Sequence, residues 1–143
     1  MIYYGTQTGT AEKFANILDE EAHIIGVNSR VVDMEKFTPE DFVQHSFVIF
    51  VLATHYEGDP TDNAKTFGKW LSKQTKAGSD TSKLLAGLTY SIMGLGDTSY
   101  EQFNEMALST DRALSKMGAV RIGDIGAGNA ETYTTEDDFI KWK

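Results

Sequence analysis

Short runs of apolar, β-branched and aromatic residues recur along the chain, separated by longer stretches whose apolar residues repeat at helical spacing. The runs at 2–4, 30–32, 47–53, 88–93 and 120–125 predict five strands. From Ala11 to about Gly26, the residues Phe14, Ala15, Ile17, Leu18 and Ala22 fall on one face of a predicted helix. Two more helices are predicted over 63–76, around Phe67, Trp70 and Leu71, and over 100–117, and a last one starts near Thr135. Pro39 suits a first helical position and Thr38 a cap, so a short helix is predicted there. The stretch 47–52 is apolar at every position, which suits a central parallel strand with helices over both faces. This β/α alternation, without repeat or linker, predicts an α/β fold built on a doubly wound open sheet.

A length of 143 residues fits one domain, at roughly 100 to 200 residues per domain. With 41% apolar and 24% charged residues a packed core is expected, and disorder is not. The net charge of −8 disfavours nucleic acid and anionic lipid as partners and favours a basic one. The absence of cysteine excludes disulfides, thiolate chemistry, iron-sulfur clusters and cysteine-ligated zinc. No apolar run reaches the ~18 residues that span a bilayer, so this domain is not expected to be membrane-embedded. The chain opens directly on a strand and stops at Trp142-Lys143 within a helical pattern, so a piece of a larger protein, with 1–143 as a single domain, is expected.

Ligands of open α/β sheets bind where loops leave the carboxyl ends of strands, which directs attention to the loops after strands one, three, four and five. The first, Gly5-Thr6-Gln7-Thr8-Gly9-Thr10-Ala11, combines hydroxyls, glycines and the free N–H groups of a helix start. That is an anion cradle. It lacks the Gly-Lys-Ser/Thr of nucleoside triphosphatases and the Gly-x-Gly-x-x-Gly of dinucleotide binders, so a single terminal phosphate fits best. A turn rich in helix-capping residues is the purely structural alternative.

Three motifs in order carry a resemblance. The run from Tyr4-Gly5-Thr6-Gln7-Thr8-Gly9-Thr10 to Ala15, the run from Glu57-Gly58-Asp59-Pro60 to Ala64, and the run from Gly94-Leu95-Gly96-Asp97 to Asn104, with Glu136 to Trp142 behind them, resemble the FMN-binding domain of the NADPH-dependent diflavin reductases, the cytochrome P-450 reductases foremost. The resemblance implies a flavodoxin-like, doubly wound, five-stranded parallel sheet in the order 2-1-3-4-5 with helices on both faces. It also implies that the hydroxyls of Thr6, Thr8 and Thr10, with the N–H groups of Gln7, Thr8, Gly9, Thr10 and Ala11, hold the phosphate of FMN. Tyr100 matches the residue stacked on the outer flavin face, and Leu95, Gly96, Asp97, Gln102, Phe103 and Asn104 match the rest of that loop. Ala53, Thr54, His55, Tyr56, Glu57 and Gly58 match the loop of the inner face. Electrons would come from an FAD- and NADPH-binding reductase module outside this chain and pass to a haem protein such as a cytochrome. The chain would be an oxidoreductase component rather than a complete enzyme, cytoplasmic, from a parent that an endoplasmic-reticulum anchor would suit. No catalytic side chain and no metal site is expected, because the chemistry belongs to the flavin.

Two loops depart from the family pattern. His55 stands where the family has its inner stacking tyrosine, and Tyr56 where it has a glycine whose peptide lies next to flavin N5. The family's acidic Gly-Asp-Asp run is here Gly128-Asn129-Ala130-Glu131. These changes keep an alternative in view, a domain of the same fold with weak or lost FMN binding that serves as an interaction module. Glu57, Asp59, Asp62, Asp97, Glu101 and Glu105 gather in the flavin loops, either as a docking face for a basic partner or as ordinary solvated surface.

Overall fold

A computed structural model describes residues 1–5, 9–55, 59–60, 64–76, 83–96, 104–129 and 142. Strand β1 (Ile2–Gly5) precedes helix α1 (Thr10–Ile24), and β2 (Val31–Asp33) precedes a 3-10 turn (Met34–Lys36) and the one-turn helix α2 (Pro39–Phe42). Next come β3 (Phe47–His55), the two-residue β4 (Asp59–Pro60) and α3 (Lys65–Gln74). The chain continues through β5 (Thr89–Gly96), α4 (Glu105–Lys116), β6 (Val120–Arg121) and β7 (Gly126–Asn129). The sheet runs β2-β1-β3-β5-β6, with β7 also on β5 and β4 folded back antiparallel on β3. All the other pairings are parallel. Because β6 pairs with the start of β5 and β7 with its end, they are two halves of one fifth strand. The order expected from the sequence, 2-1-3-4-5, is therefore the one observed.

Alternation along the strands divides the core in two. Tyr3, Val48, Phe50, Leu52, Tyr90 and Ile92 face the side covered by α3 and α4, whereas Ile2, Tyr4, Val51, Met93 and Leu95 face α1 through Ala11, Phe14 and Ala15. On the first side the aromatic rings interlock: Phe67 lies 5.6 Å from Phe50 and 5.8 Å from Phe42 between ring centres. Offset and edge-on pairs of this kind add about 0.5–1.5 kcal/mol each beyond the area they bury. Helix α1 ends because Gly26 turns left-handed at φ 85°, which lets Gly26 and Val27 donate back to the carbonyls of His23 and Ala22.

Several boundaries differ from the sequence pattern. The fifth strand, expected as one run over 120–125, breaks after Arg121 and resumes at Gly126. Gly123 has φ 74° there, and Arg121 Nε donates to its carbonyl at 2.9 Å, which holds the chain out of the ladder. The second half reads Gly-Ala-Gly-Asn, residues with little strand preference, so the pattern did not register it. Helix α4 starts at Glu105, not at 100, because Asn104 sits in the left-handed region at φ 58° and no α-helix runs through it. Thr38 occupies the cap position of α2 without a side-chain capping bond, and its carbonyl accepts from Phe42 N–H instead. The helix expected near Thr135 lies outside the described residues, apart from the helical Trp142. No helix among the described residues is long and apolar enough to cross a membrane.

A polar clamp ties α4 to the edge of the sheet. The fully buried Tyr90 donates from its hydroxyl to Asp111 Oδ1 at 2.6 Å, and Asp111 Oδ2 accepts from Arg121 Nη1 at 3.0 Å. Burial, and then the bond to the Asp111 carboxylate, push the Tyr90 hydroxyl up to about 12. An unfolded chain ionises its tyrosines near pH 10, so between pH 10 and 12 it releases a proton that the folded Tyr90 keeps, and stability falls as pH rises. Urea unfolding at pH 9 and pH 11 should show that fall, and Tyr90→Phe should shrink it; the remainder belongs to Tyr4, also pushed up to about 12, and to Tyr3, which burial and the nearby Asp41 also raise.

Candidate functional site

Strand register brings the predicted loops to one end of the sheet. Gly5 pairs with Leu52, Leu52 with Gly94, and Gly94 with Ala127; one step on, Ala53 pairs with Leu95 and Leu95 with Gly128. The chain segments after β1, β3, β5 and β7 therefore leave the carboxyl edge of the sheet side by side. Strand β4 returns along β3, with His55 opposite Asp59 and Thr54 opposite Pro60, so the chain reverses direction between His55 and Asp59.

At the head of α1, Gly9 has φ 97°, and its carbonyl accepts the first intrahelical bond, from Lys13 N–H at 3.0 Å. The helix offers no carbonyl to the N–H groups of Thr10, Ala11 and Glu12, which precede that bond. Donors of this kind at the positive end of a 15-residue helix suit a phosphate. The Ala11 methyl is fully buried against the sheet, so Ala11 meets a ligand only through its N–H. The first-turn carboxylate of Glu12 acts on Tyr4, whose hydroxyl is pushed up to about 12 by burial, then by Asp33 and Glu12. Tyr4 also donates to Asp33 Oδ2 at 3.3 Å.

Of the other residues singled out in the sequence, Ala53 is half-buried at the rim, and Leu95, 6% exposed, belongs to the core on the α1 side. Thr54, His55, Gly96 and Asn129 are placed by their backbones at the carboxyl edge. Thr6, Gln7, Thr8, Tyr56, Glu57, Gly58, Asp97, Tyr100, Gln102 and Phe103 lie outside the described residues. Asn104 is buried: its Nδ2 donates to the Gly126 carbonyl at 3.4 Å, while its Oδ1 has no hydrogen-bond partner among the described residues. An unmatched buried acceptor costs about 1–3 kcal/mol. A Cβ on Gly94 would overlap that oxygen, and a Cβ on Gly126 would overlap Met93 Sδ and the Trp142 ring. The sequence marked Trp142 only as the end of the run from Glu136 and assigned Gly126 no role; the Gly-Ala-Gly run at 126–128, opposite Gly94, was the available sign of close approach.

A cavity of about 660 Å³ lies at the opposite, amino end of the strands, between Ile2, Leu18, Ile25, Val27, His45 and Phe47. Its lining is mostly apolar and includes the carboxylate of Glu21, which repels a phosphate, so the loop-bearing end, with the N–H groups at the head of α1, is the better candidate.

The family model described as flavodoxin matches residues 2–142. The chain belongs to the flavodoxin family. This flavodoxin-family chain is 41% identical over 143 residues to the NADPH–cytochrome P450 reductase of Dictyostelium discoideum, covering 99% of this chain and 21% of that protein. It is 38% identical over 148 residues to the human NADPH–cytochrome P450 reductase, covering 100% of this chain and 21% of that one. The chain thus spans about a fifth of the length of these curated relatives. Among solved structures, a point mutant of the Pseudomonas aeruginosa flavodoxin superposes with a TM-score of 0.78 at 22% identity, covering 99% of this chain and 91% of that one. A mutant Fusobacterium nucleatum flavodoxin, solved bound to flavin mononucleotide, gives 0.75 at 16% identity, covering 99% and 90%. Family and relatives support FMN as the cofactor of this flavodoxin-family domain.

The φ of Gly9 provides a local test. Among the described residues nothing lies within 4 Å of a methyl added there, so Gly9→Ala isolates the cost of the backbone conformation. That substitution should lower the unfolding free energy by about 1–2 kcal/mol in urea titrations. An unchanged value would mean that the head of α1 relaxes to negative φ.

Proposed function

We propose that this domain holds FMN at the carboxyl edge of its sheet and serves as the electron-transfer domain of a longer diflavin reductase, receiving electrons from an FAD- and NADPH-binding module and delivering them to a haem protein. The observation that carries this reading is identity near 40% along essentially the whole chain to NADPH–cytochrome P450 reductases. The head of α1 supports it, because Gly9 and the N–H groups of Thr10 to Glu12 form a donor set suited to a terminal phosphate. FMN, when bound, supplies the redox chemistry. Thr6, Thr8 and Thr10 hold the phosphate through their hydroxyls, Tyr100 covers the outer ring face, and the segment from Ala53 to Gly58 lies along the inner one. Leu95 and Gly96 carry the chain from β5 into the outer loop, and Asn129 closes the far edge. The acidic residues of these loops steer a basic haem protein toward the exposed flavin edge. The parent is a cytoplasm-facing reductase of the endoplasmic-reticulum membrane.

A second reading, the same fold acting as an interaction module with poor FMN affinity, is favoured by His55, Tyr56 and Asn129, which depart from the family pattern. The visible spectrum separates the two. Purified protein with a yellow flavin spectrum near one FMN per chain supports electron transfer, whereas colourless protein that takes up no added FMN supports the module.

In flavin-loaded protein, Thr8→Val together with Thr10→Val should weaken FMN binding more than tenfold in a fluorescence titration. Hydrogen bonds to a charged group contribute about 1.5–3 kcal/mol each, and partial additivity suffices for that loss. An unchanged dissociation constant would remove the cradle assignment. Reduction of a basic haem protein by the loaded domain should slow as salt rises, since charges are screened over about 8 Å at physiological ionic strength. A rate independent of salt would count against acidic docking.

A further inference from the structure

Asn104 combines three unusual properties. Among the described residues it is the single non-glycine residue with positive φ, at 58°; it is 4% exposed; and its Oδ1 is buried with no hydrogen-bond partner among them. Its carboxamide fills the space beside Gly94 of β5, where any Cβ would collide with it and with the Ala107 methyl of α4, and it reaches across to the Gly126 carbonyl of β7. The fold alone does not call for this residue. At a left-handed position glycine carries no Cβ penalty and would bury no orphan oxygen. What asparagine adds is a fixed spacing between the head of α4 and the start of β7.

We infer that Asn104 is a positioning residue for the flavin: its Nδ2–H bond to Gly126, laid over Gly94, sets the segment that runs from β5 into α4 against the segment that leaves β7. The inference rests on the FMN reading proposed above. In that reading these two segments carry Tyr100 and Asn129, and a ring bound between them feels any change in their separation. The Asn104 oxygen fills the place a Gly94 Cβ would take, which makes the side chain a spacer as well as a tie. Trp142 supports the same point from the other face. Its indole N–H donates to the Asp124 carbonyl at 3.1 Å, and its ring packs on Gly126.

Two variants test this by FMN titration of folded protein, with circular dichroism as the check on folding. Asn104→Gly keeps the left-handed backbone and removes the tie. Asn104→Asp keeps the shape, but its ionised carboxylate faces the Gly126 carbonyl, whereas its protonated form donates to it. Among the described residues the charged groups flanking these elements are Glu105, paired with Arg112 at 2.6 Å, and Asp124 ahead of β7; Gly94 and Gly126 bring none. Both charges are present in wild type and variants alike, so the comparison isolates position 104. The expected result is a dissociation constant for FMN raised at least tenfold by Asn104→Gly, and raised by Asn104→Asp at pH 8 with the loss relative to wild type shrinking toward pH 5. If Asn104→Gly does not fold, the pH dependence of Asn104→Asp alone decides. Wild-type protein that binds FMN, with folded variants within twofold of it at both pH values, overturns the positioning role alone. Wild-type protein that takes up no FMN overturns the flavin reading and this inference with it.

Discussion

In its middle, from Phe50 to Leu52, strand β3 turns neither face to water. Val48, Phe50, Val51 and Leu52 are all fully buried, and burying such side chains contributes about 1.5–3 kcal/mol each. Both faces therefore need a helical cover, and both edges a neighbouring strand. The α1 layer meets one requirement, the α3 and α4 layer the other, and β1 and β5 supply the flanking ladders. A sheet closed in this way leaves its strand ends as the places where polar chemistry can gather. The register of β3 with its neighbours then decides that the loops meet at one level.

The parts of this arrangement that rest on side-chain pattern were legible in the sequence. The unbroken apolar run of β3, the helical spacing of Phe14, Ala15 and Leu18, and the hydroxyl-rich turn before α1 each announce their role through residue type. Features that rest on backbone conformation were not. The left-handed Asn104, which moves the start of α4 to Glu105, and the left-handed Gly123, which splits the fifth strand, have no signature in hydrophobic period. Strand β7 was hidden for a related reason, since glycine and alanine carry no alternating pattern and its position follows from β5 alone.

The candidate site was legible as a set of segments rather than as a set of side chains. Sequence placed Ala11, Leu95 and Asn104 among the cofactor contacts, and in the structure the side chains of all three are buried in the protein interior. Such positions recur in a binding motif for two reasons that sequence cannot separate: some residues touch the ligand, and others fix the backbone that does. Leu95 illustrates the second kind, because the residue that anchors the end of β5 on the α1 side also fixes where the next loop departs.

The broken fifth strand bears on how the molecule behaves in company. Among the described residues β6 and β7 form the free edge beyond β5, and Val120 and Ile122 there are 61% and 53% exposed. An uninterrupted apolar edge is a template on which a second chain can add itself strand by strand. The turn at Gly123 divides this edge into pieces of two and four residues, and the cationic Arg121 stands beside the gap. The interruption that hid the strand from the sequence pattern thus makes the edge a poor seed for aggregation.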